Sequence, residues 1–162
     1  MKNLQAKCKN GLNIDFIQEY IKSNFKGLVY KFTYKEHSFF YNPDKVLKNG
    51  VYFCTIKEND GINDNASNLN REGVFRLSCS LCDQDYQNLF GQKPKKALKG
   101  EVVSLNYDFS MLDFIMPHPI YAYMGYICIN SPSRKNFEIF KDYLELSYQK
   151  AIKTYQKRIK SN

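Results

Sequence analysis

Apolar residues recur at steps of three and four in two parts of the chain, which is the spacing of a helix packed along one face. In the first part, residues 15–21 carry this pattern and Gly27 supplies a stop. The second part starts at Ser133, and its apolar positions are Phe137, Phe140, Leu144, Tyr148, Ala151, Tyr155 and Ile159. The spacing predicts a helix near the start and a long C-terminal helix.

Segments dense in aromatic and β-branched residues, bounded by turn residues, indicate strands between these helices. The predicted strands are 29–34 and 38–41 as a hairpin, 50–56, 73–79, a weak strand at 101–105, and a central strand at 121–130. Short helices are predicted at 83–90, closed by Gly91, and at 108–114, ended by Pro117.

Strands in hairpin order, without regular alternation of strand and helix, predict an α+β fold. We expect a single antiparallel sheet of about five strands with helices packed on one face. No internal repeat or linker divides the chain, so residues 1–162 are predicted to form one domain, with 1–13 as a flexible lead-in. A chain of this length can bury roughly 70% of its unfolded surface, which suffices for one core.

The formal net charge of +8 invites a nucleic-acid partner, because clustered cations attract phosphates. Lysine supplies nearly all of this charge, however, whereas readers of phosphates and bases favour arginine. The chain is rich in Lys, Asn, Tyr and Phe, residues that an AT-rich genome favours without selection for binding. Nucleic-acid binding is therefore an unfavoured but open hypothesis.

The chain carries no apolar run near the roughly 20 residues that cross a bilayer, and its first residues lack the apolar core of a signal peptide. We expect a cytoplasmic protein without a membrane partner. The five cysteines are odd in number and scattered, which fits free thiols in a reducing compartment.

Five segments together resemble the bacterial family known as domain of unknown function 6194. They are residues 39–43 (FFYNP), 68–77 (NLNREGVFRL), 86–91 (YQNLFG), 116–125 (MPHPIYAYMG) and 130–133 (NSPS). The resemblance runs from about residue 15 to the last helix, with a looser likeness in layout to the YjbR-type (CyaY-like) α+β fold. The resemblance to this family implies a fold but no activity. Relatives often carry a second histidine where this chain has Tyr123, so a site of paired histidines is not expected.

His118 is the first candidate site residue, because Pro117 and Pro119 present its ring from a stiff segment. An imidazole there could act as a general base or bind an anion, with Asp108 or Asp113 as an orienting carboxylate. The alternative is a histidine whose nitrogens satisfy backbone groups at a loop corner.

Arg71 and Arg76 stand out in a chain that otherwise prefers lysine, which suggests that these positions need a planar fork. Arg76 lies within a predicted strand, where it could clamp an anion. The alternative is a structural ion pair on the sheet.

Other motifs favour structural interpretations. Cys79 and Cys82 have CxxC spacing, but no second ligand pair follows them. The oxygen-rich residues 58–65 lack the register of a calcium loop and are predicted to be a solvated loop that could cover a cleft. No metal or cofactor is predicted.

The leading hypothesis is a binding module for a small polar or anionic ligand. Arg76, His118 and Tyr121 at one end of the sheet, with Asp108, are the predicted contacts. The alternative is a hydrolase or transferase with His118 as general base, and an accessory nucleic-acid-binding domain is third. The pattern does not specify an oligomeric state.

Overall fold

An antiparallel sheet of six strands forms the centre of the computed structural model, which describes residues 11–162. Its strands are β1 (Leu28–Thr33), β2 (Glu36–Tyr41), β3 (Val51–Lys57), β4 (Arg76–Ser80), β5 (Met116–Pro117) and β6 (Tyr126–Asn130). Their order across the sheet is β1-β2-β3-β4-β6-β5. The predicted α+β class and antiparallel sheet are confirmed, with one strand more than expected.

The helices are α1 (Ile14–Asn24), α2 (Asp83–Phe90) and α3 (Arg134–Lys160). Local capping fixes where two of them begin. The Asn13 side chain accepts from the Phe16 N–H at 2.8 Å, and Ser133 Oγ accepts from the Asn136 N–H at 3.2 Å. These bonds satisfy backbone donors that a helix start leaves open. The predicted long C-terminal helix is confirmed, and it packs on the sheet.

One face of the sheet carries the apolar core, against which α1 and α3 pack. The largest side chains sealed in this core include Ile17, Ile21, Phe39, Phe53, Leu77, Phe137 and Phe140. Ser147 of α3 adds a polar link, because its Oγ donates to the Phe53 carbonyl at 3.0 Å and accepts from the Ser80 N–H at 3.1 Å. One hydroxyl thus fixes the long helix to both β3 and β4.

The opposite face of the sheet carries a row of polar side chains. Glu36 pairs in register with Lys57, Lys57 with Arg76, and Arg76 with Asn130. Residues directly opposite one another project to the same face, and their neighbours along each strand project to the other. The polar row therefore crosses β2, β3, β4 and β6 on the side away from the core.

The helix predicted at residues 108–114 is wrong. Asp108 Oδ1 accepts from the Ser110 N–H at 3.0 Å, and Asp113 takes a left-handed φ of 55°. The Asn130 side-chain amide donates to the carbonyls of Phe109 and Met111 at 2.9 and 3.0 Å. These backbone groups are satisfied from strand β6, so the tertiary partner replaces helical hydrogen bonds.

Two predicted strands also need correction. Residues 101–105 form no strand: the Val103 N–H donates to the Pro119 carbonyl at 2.8 Å, but the Val103 carbonyl accepts locally from the Leu105 N–H at 2.9 Å, so no ladder forms. The predicted strand 121–130 is shorter, since Ala122–Met124 is a 3-10 turn and the strand begins at Tyr126. Gly125 ends that turn with a φ of 88°.

Most of the predicted lead-in, together with Cys8, lies outside the described residues. Within the described part, Leu12 is buried and its N–H donates to the Pro132 carbonyl at 3.3 Å. The remaining cysteines are all free: Cys54, Cys79 and Cys128 are buried, and Cys82 is exposed. Among residues 11–162, no helix combines the length and apolarity that crossing a bilayer requires.

Replacing Gly125 with Ala is expected to destabilise the fold strongly. A Cβ at this position would lie 2.4 Å from the Leu81 carbonyl oxygen, which is backbone and cannot rotate away. Gly73→Ala is the matched control, because Gly73 also has positive φ but has open space around it. We expect a loss of about 1 kcal/mol for the control and at least about 3 kcal/mol for Gly125→Ala in urea unfolding. Equal losses would contradict the steric argument.

Thiol accessibility is expected to follow burial in a Cys8→Ser background. Cys82 should react quickly with dithionitrobenzoate in the native protein, whereas the three buried cysteines should react only after unfolding. Burial also raises the pKa of Cys128 to about 12, so little reactive thiolate forms there. A native titration of more than one fast thiol per chain would contradict this expectation.

Candidate functional site

A cleft of about 290 Å³ opens on the polar face of the sheet. The loop between β3 and β4 borders it on one side, and the segment from β5 to β6 borders it on the other. Its lining residues are Glu36, Tyr52, Thr55, Lys57, Asp64, Arg76, His118, Tyr121, Met124 and Tyr126. The volume lies near the lower limit of typical ligand cavities.

Arg76 forms the floor of the cleft and is only 3% exposed. Its Nη1 donates to Asp64 Oδ1 at 2.9 Å and to Ser67 Oγ at 2.8 Å, and its Nη2 donates to Asp64 Oδ2. The contact between Arg76 and Asp64 is bidentate, a geometry that the planar guanidinium group favours. The structural ion pair that was predicted as the alternative is therefore present at the guanidinium group, and Arg76 also lines the cleft.

Lys57 lies beside Arg76 in the polar row, so two cations are neighbours on adjacent strands. Carboxylates compensate them: Lys57 Nζ is 3.1 Å from Glu36 Oε2 and 3.9 Å from Asp64 Oδ2. Burial alone would raise the pKa of Asp64, but the hydrogen bonds and charge of Arg76 lower it. The four groups therefore carry two positive and two negative charges, and the cleft floor has no net charge.

His118 is 3% exposed and its two ring nitrogens differ. Nδ1 accepts from the backbone N–H groups of Ile120 and Tyr121 at 3.0 and 3.1 Å. Burial, and then the charge of Arg76, hold the pKa of His118 well below its usual value, so the ring is neutral. A neutral imidazole has one protonated nitrogen, and it must be Nε2. Within residues 11–162, no hydrogen bond to Nε2 is present, which leaves this N–H available in the cleft.

Aromatic rings build the remaining wall of the cleft. The Tyr52 and Tyr126 rings stack with centroids 4.8 Å apart, and Tyr121 lies 5.5 Å from Tyr126 and 5.0 Å from His118. Burial raises the pKa of Tyr126 to about 12, so its hydroxyl keeps its proton at neutral pH. The wall thus offers flat apolar surface with phenolic donors at its edges.

The backbone around His118 is held by a compact turn. The His118 N–H donates to the Tyr126 carbonyl at 3.0 Å, and the His118 carbonyl accepts from Ala122 at 3.3 Å. Gly125 then lets the chain reverse close to Leu81, whose N–H donates to the Gly125 carbonyl at 2.9 Å. This turn delivers His118, Tyr121 and Tyr126 to one side of the cleft.

The cleft brings together three of the residues predicted from the sequence, Arg76, His118 and Tyr121, and leaves out the others. Asp108 is exposed and bonds Ser110. Asp113 Oδ1 accepts from the Ser133 N–H at 2.6 Å, where the chain turns toward α3. Neither carboxylate orients His118.

Arg71 also has a structural task. Its Nη2 donates to the carbonyls of Ser67 and Ser110 at 3.0 and 2.7 Å, and its Nε donates to the Asn68 carbonyl at 2.8 Å. The Arg71 guanidinium group therefore connects the loop before β4 to residues 108–112 through hydrogen bonds. By holding that loop, Arg71 supports the position of Asp64 and Ser67 above Arg76.

Sequence reasoning missed Glu36, Tyr52, Lys57, Asp64 and Tyr126. Asp64 lies in the loop that was predicted to cover a cleft, so the sequence did indicate this loop. No sequence pattern, however, indicates that Asp64 pairs with Arg76. Lys57 and Arg76 end and begin their strands, and only the register of β3 on β4 makes them neighbours. Among residues 11–162, no three His, Cys, Asp or Glu side chains converge as metal ligands would.

Acidification should destabilise the protein partly through His118. The folded pKa lies well below the unfolded value of about 6.5, so below that pH the unfolded chain binds a proton that the folded ring does not. Stability should then fall with decreasing pH by at most about 1.4 kcal/mol per unit. The contribution of Asp64, whose folded pKa is lowered, is lost only as the pH falls below about 4. Urea unfolding between about pH 7.5 and 5 should give a shallower dependence for His118→Asn. Parallel curves for both proteins would contradict a neutral buried imidazole.

Comparisons with known proteins give a family without an assigned activity. Neither the curated proteins nor the solved structures yield a match, so the likeness to the YjbR-type fold stays a prediction. The model of a family described as "Family of unknown function (DUF6194)" matches residues 12–160, which is nearly the whole chain. The resemblance seen in the sequence is thereby confirmed, and this chain belongs to the DUF6194 family of unknown function.

Proposed function

We propose that this protein is a binding module that holds a small, planar, polar molecule in the cleft of Arg76, His118 and Tyr121. The observation that carries the proposal is the Nε2–H of His118, a donor on a buried neutral ring that has no partner among the described residues. A ligand acceptor at this N–H would take the place of the water that otherwise hydrates it in the cleft.

The charges of the cleft favour an uncharged ligand over an anion. Lys57 and Arg76 are already paired with Glu36 and Asp64, so an anion would have to compete with carboxylates that are part of the fold. A polar, neutral ligand can instead accept from His118 Nε2 and donate to the free lone pairs of Glu36 or Asp64. Of the polar and anionic ligands predicted from the sequence, the cleft therefore favours the uncharged polar ones.

The shape of the cleft favours a flat ligand. Tyr121 and Tyr126 line the cleft beside His118, and aromatic rings stack well on planar groups. A cavity of about 290 Å³ limits the ligand to a small heterocycle with few substituents.

The enzymatic alternative is less favoured by the same histidine. A general base needs a free nitrogen lone pair, and the Nδ1 lone pair of His118 is taken by two backbone N–H groups. A cytoplasmic location fits the free thiols of Cys54, Cys79 and Cys128, and nucleic-acid binding has no support in a cleft whose cations are paired.

Two substitutions at His118 separate binding from stability. In Asn the side-chain oxygen can occupy the place of Nδ1 and keep the backbone bonds. His118→Asn should therefore fold with little loss but lose the cleft donor. In Gln the amide nitrogen reaches the place of Nε2 but the acceptor for the two N–H groups is lost, so His118→Gln should cost about 1–3 kcal/mol of stability.

The probes are uncharged nucleobases and nicotinamide, with inorganic phosphate as the anion. A probe at ten times its Kd should raise the melting temperature of the wild type by about 4 °C. His118→Asn should abolish the rise, and Lys96→Gln, outside the cleft, should keep it. A response to phosphate alone would reverse the charge argument. A response that survives His118→Asn would refute the assigned cleft.

A further inference from the structure

A second histidine lies in a chain of hydrogen bonds on the other face of the sheet. His37 of β2 is 7% exposed, and its Nδ1 is 2.8 Å from the hydroxyl of Tyr30 on β1. Its Nε2 is 2.6 Å from Oε2 of Glu58, the residue that follows β3. Hydroxyl, imidazole and carboxylate therefore stand in line, which is the order of groups that activates a nucleophile in hydrolytic enzymes.

Gln18 of α1 settles which nitrogen of His37 carries the proton. Its amide nitrogen lies 3.1 Å from Nδ1, and an amide nitrogen only donates. Nδ1 is therefore the acceptor, and Nε2 donates its proton to the Glu58 carboxylate. His37 therefore has the same tautomer as His118, and its Nδ1 lone pair is shared by the Gln18 amide and the Tyr30 hydroxyl, of which Tyr30 is the nearer at 2.8 Å against 3.1 Å.

We propose that Tyr30, His37 and Glu58 form a nucleophilic relay, in which the Tyr30 oxygen accepts an acyl group from an activated ester. His37 is the general base, and Glu58 holds its ring in the basic tautomer.

The atoms of this step balance without a further reagent. The Tyr30 oxygen forms a bond to the ester carbonyl carbon, and the bond from that carbon to the leaving oxygen breaks. The phenolic proton passes to His37 Nδ1 and then to the leaving group, so the products are a tyrosyl ester and an alcohol or phenol.

The surroundings of Tyr30 suit an encounter at the surface. Tyr30 is 39% exposed on edge strand β1, and the Lys22 ammonium lies 4.5 Å from its ring centroid, where it favours developing negative charge. Burial and then Glu58 raise the pKa of Tyr30, so the hydroxyl keeps its proton until His37 takes it. A cavity of about 910 Å³ is lined by His37 and Glu58 but not by Tyr30, so the ester reaches the oxygen from the open edge of the sheet.

The relay is independent of the proposed binding cleft. Tyr30 is opposite Phe39 and His37 is opposite Phe32, and Phe39 belongs to the core on the helix face. The cleft lies on the other face, along the row of Glu36, Lys57 and Arg76.

The test treats the intact chain with p-nitrophenyl acetate and measures acetylation of each tyrosine by peptide mass spectrometry. Tyr34 is the matched control, because it lies in the same hairpin and is 91% exposed. If exposure alone sets the rate, Tyr34 reacts faster. The relay instead predicts that Tyr30 reacts at least about tenfold faster than Tyr34.

Two variants identify the base. His37→Gln should reduce the Tyr30 rate to that of Tyr34 or below, and Glu58→Gln should reduce it at least about threefold while keeping an acceptor beside Nε2. Tyr34 acetylation should stay unchanged in both, and a circular dichroism melt of each variant reports whether it is folded. Should His37→Gln unfold the hairpin, Glu58→Gln decides alone. A Tyr30 rate at or below that of Tyr34 in the wild type, or unchanged in the folded variants, would overturn the proposal.

Discussion

The ion pair between Arg76 and Asp64 is the interaction on which the polar face of this sheet depends. Lys57 and Arg76 are direct cross-strand neighbours, and like charges in that relation destabilise a sheet. Asp64 lies against both, so the loop between β3 and β4 has to fold over the sheet for the strands to pair at low cost. Removing one partner of a buried pair leaves an uncompensated charge, which is more costly than never having the pair. The loop is therefore part of the fold, and the cleft exists because the loop is there.

The two histidines show how backbone and side-chain partners decide the chemistry of the same ring. Backbone N–H groups occupy Nδ1 of His118, so this ring can only donate into its cleft. Glu58 occupies the N–H of His37, so the Nδ1 lone pair of this ring accepts from two side chains, Tyr30 and Gln18. Both rings are buried, and burial holds the pKa of His118 well below its usual value. The first arrangement suits recognition, whereas the second suits proton transfer.

The errors of sequence interpretation have a common physical cause. Residues 108–114 have a helical composition, but Asn130 of β6 takes their carbonyl groups and Asp108 takes an amide. Residues 101–105 have strand composition, but their neighbour is a loop, so only one bond to Pro119 forms. In each case a hydrogen-bond partner distant in the chain satisfies backbone groups of the segment, and the predicted helix or strand does not form. Elements with a strong local pattern, such as α1 and α3, had no such competition.

The sequence by itself determined the fold class, the amphipathic helices and most strands, because periodicity and capping act over a few neighbouring residues. It also singled out Arg76, His118 and Tyr121, whose residue types and stiff surroundings are visible in one segment each. Only the tertiary structure decided that these three share a cleft, that Asp64 and Glu36 neutralise its cations, and that Tyr30, His37 and Glu58 stand in line. Those relations depend on strand register and on a loop folding across the sheet. Both are set by the global balance of burial and charge, which no local pattern encodes.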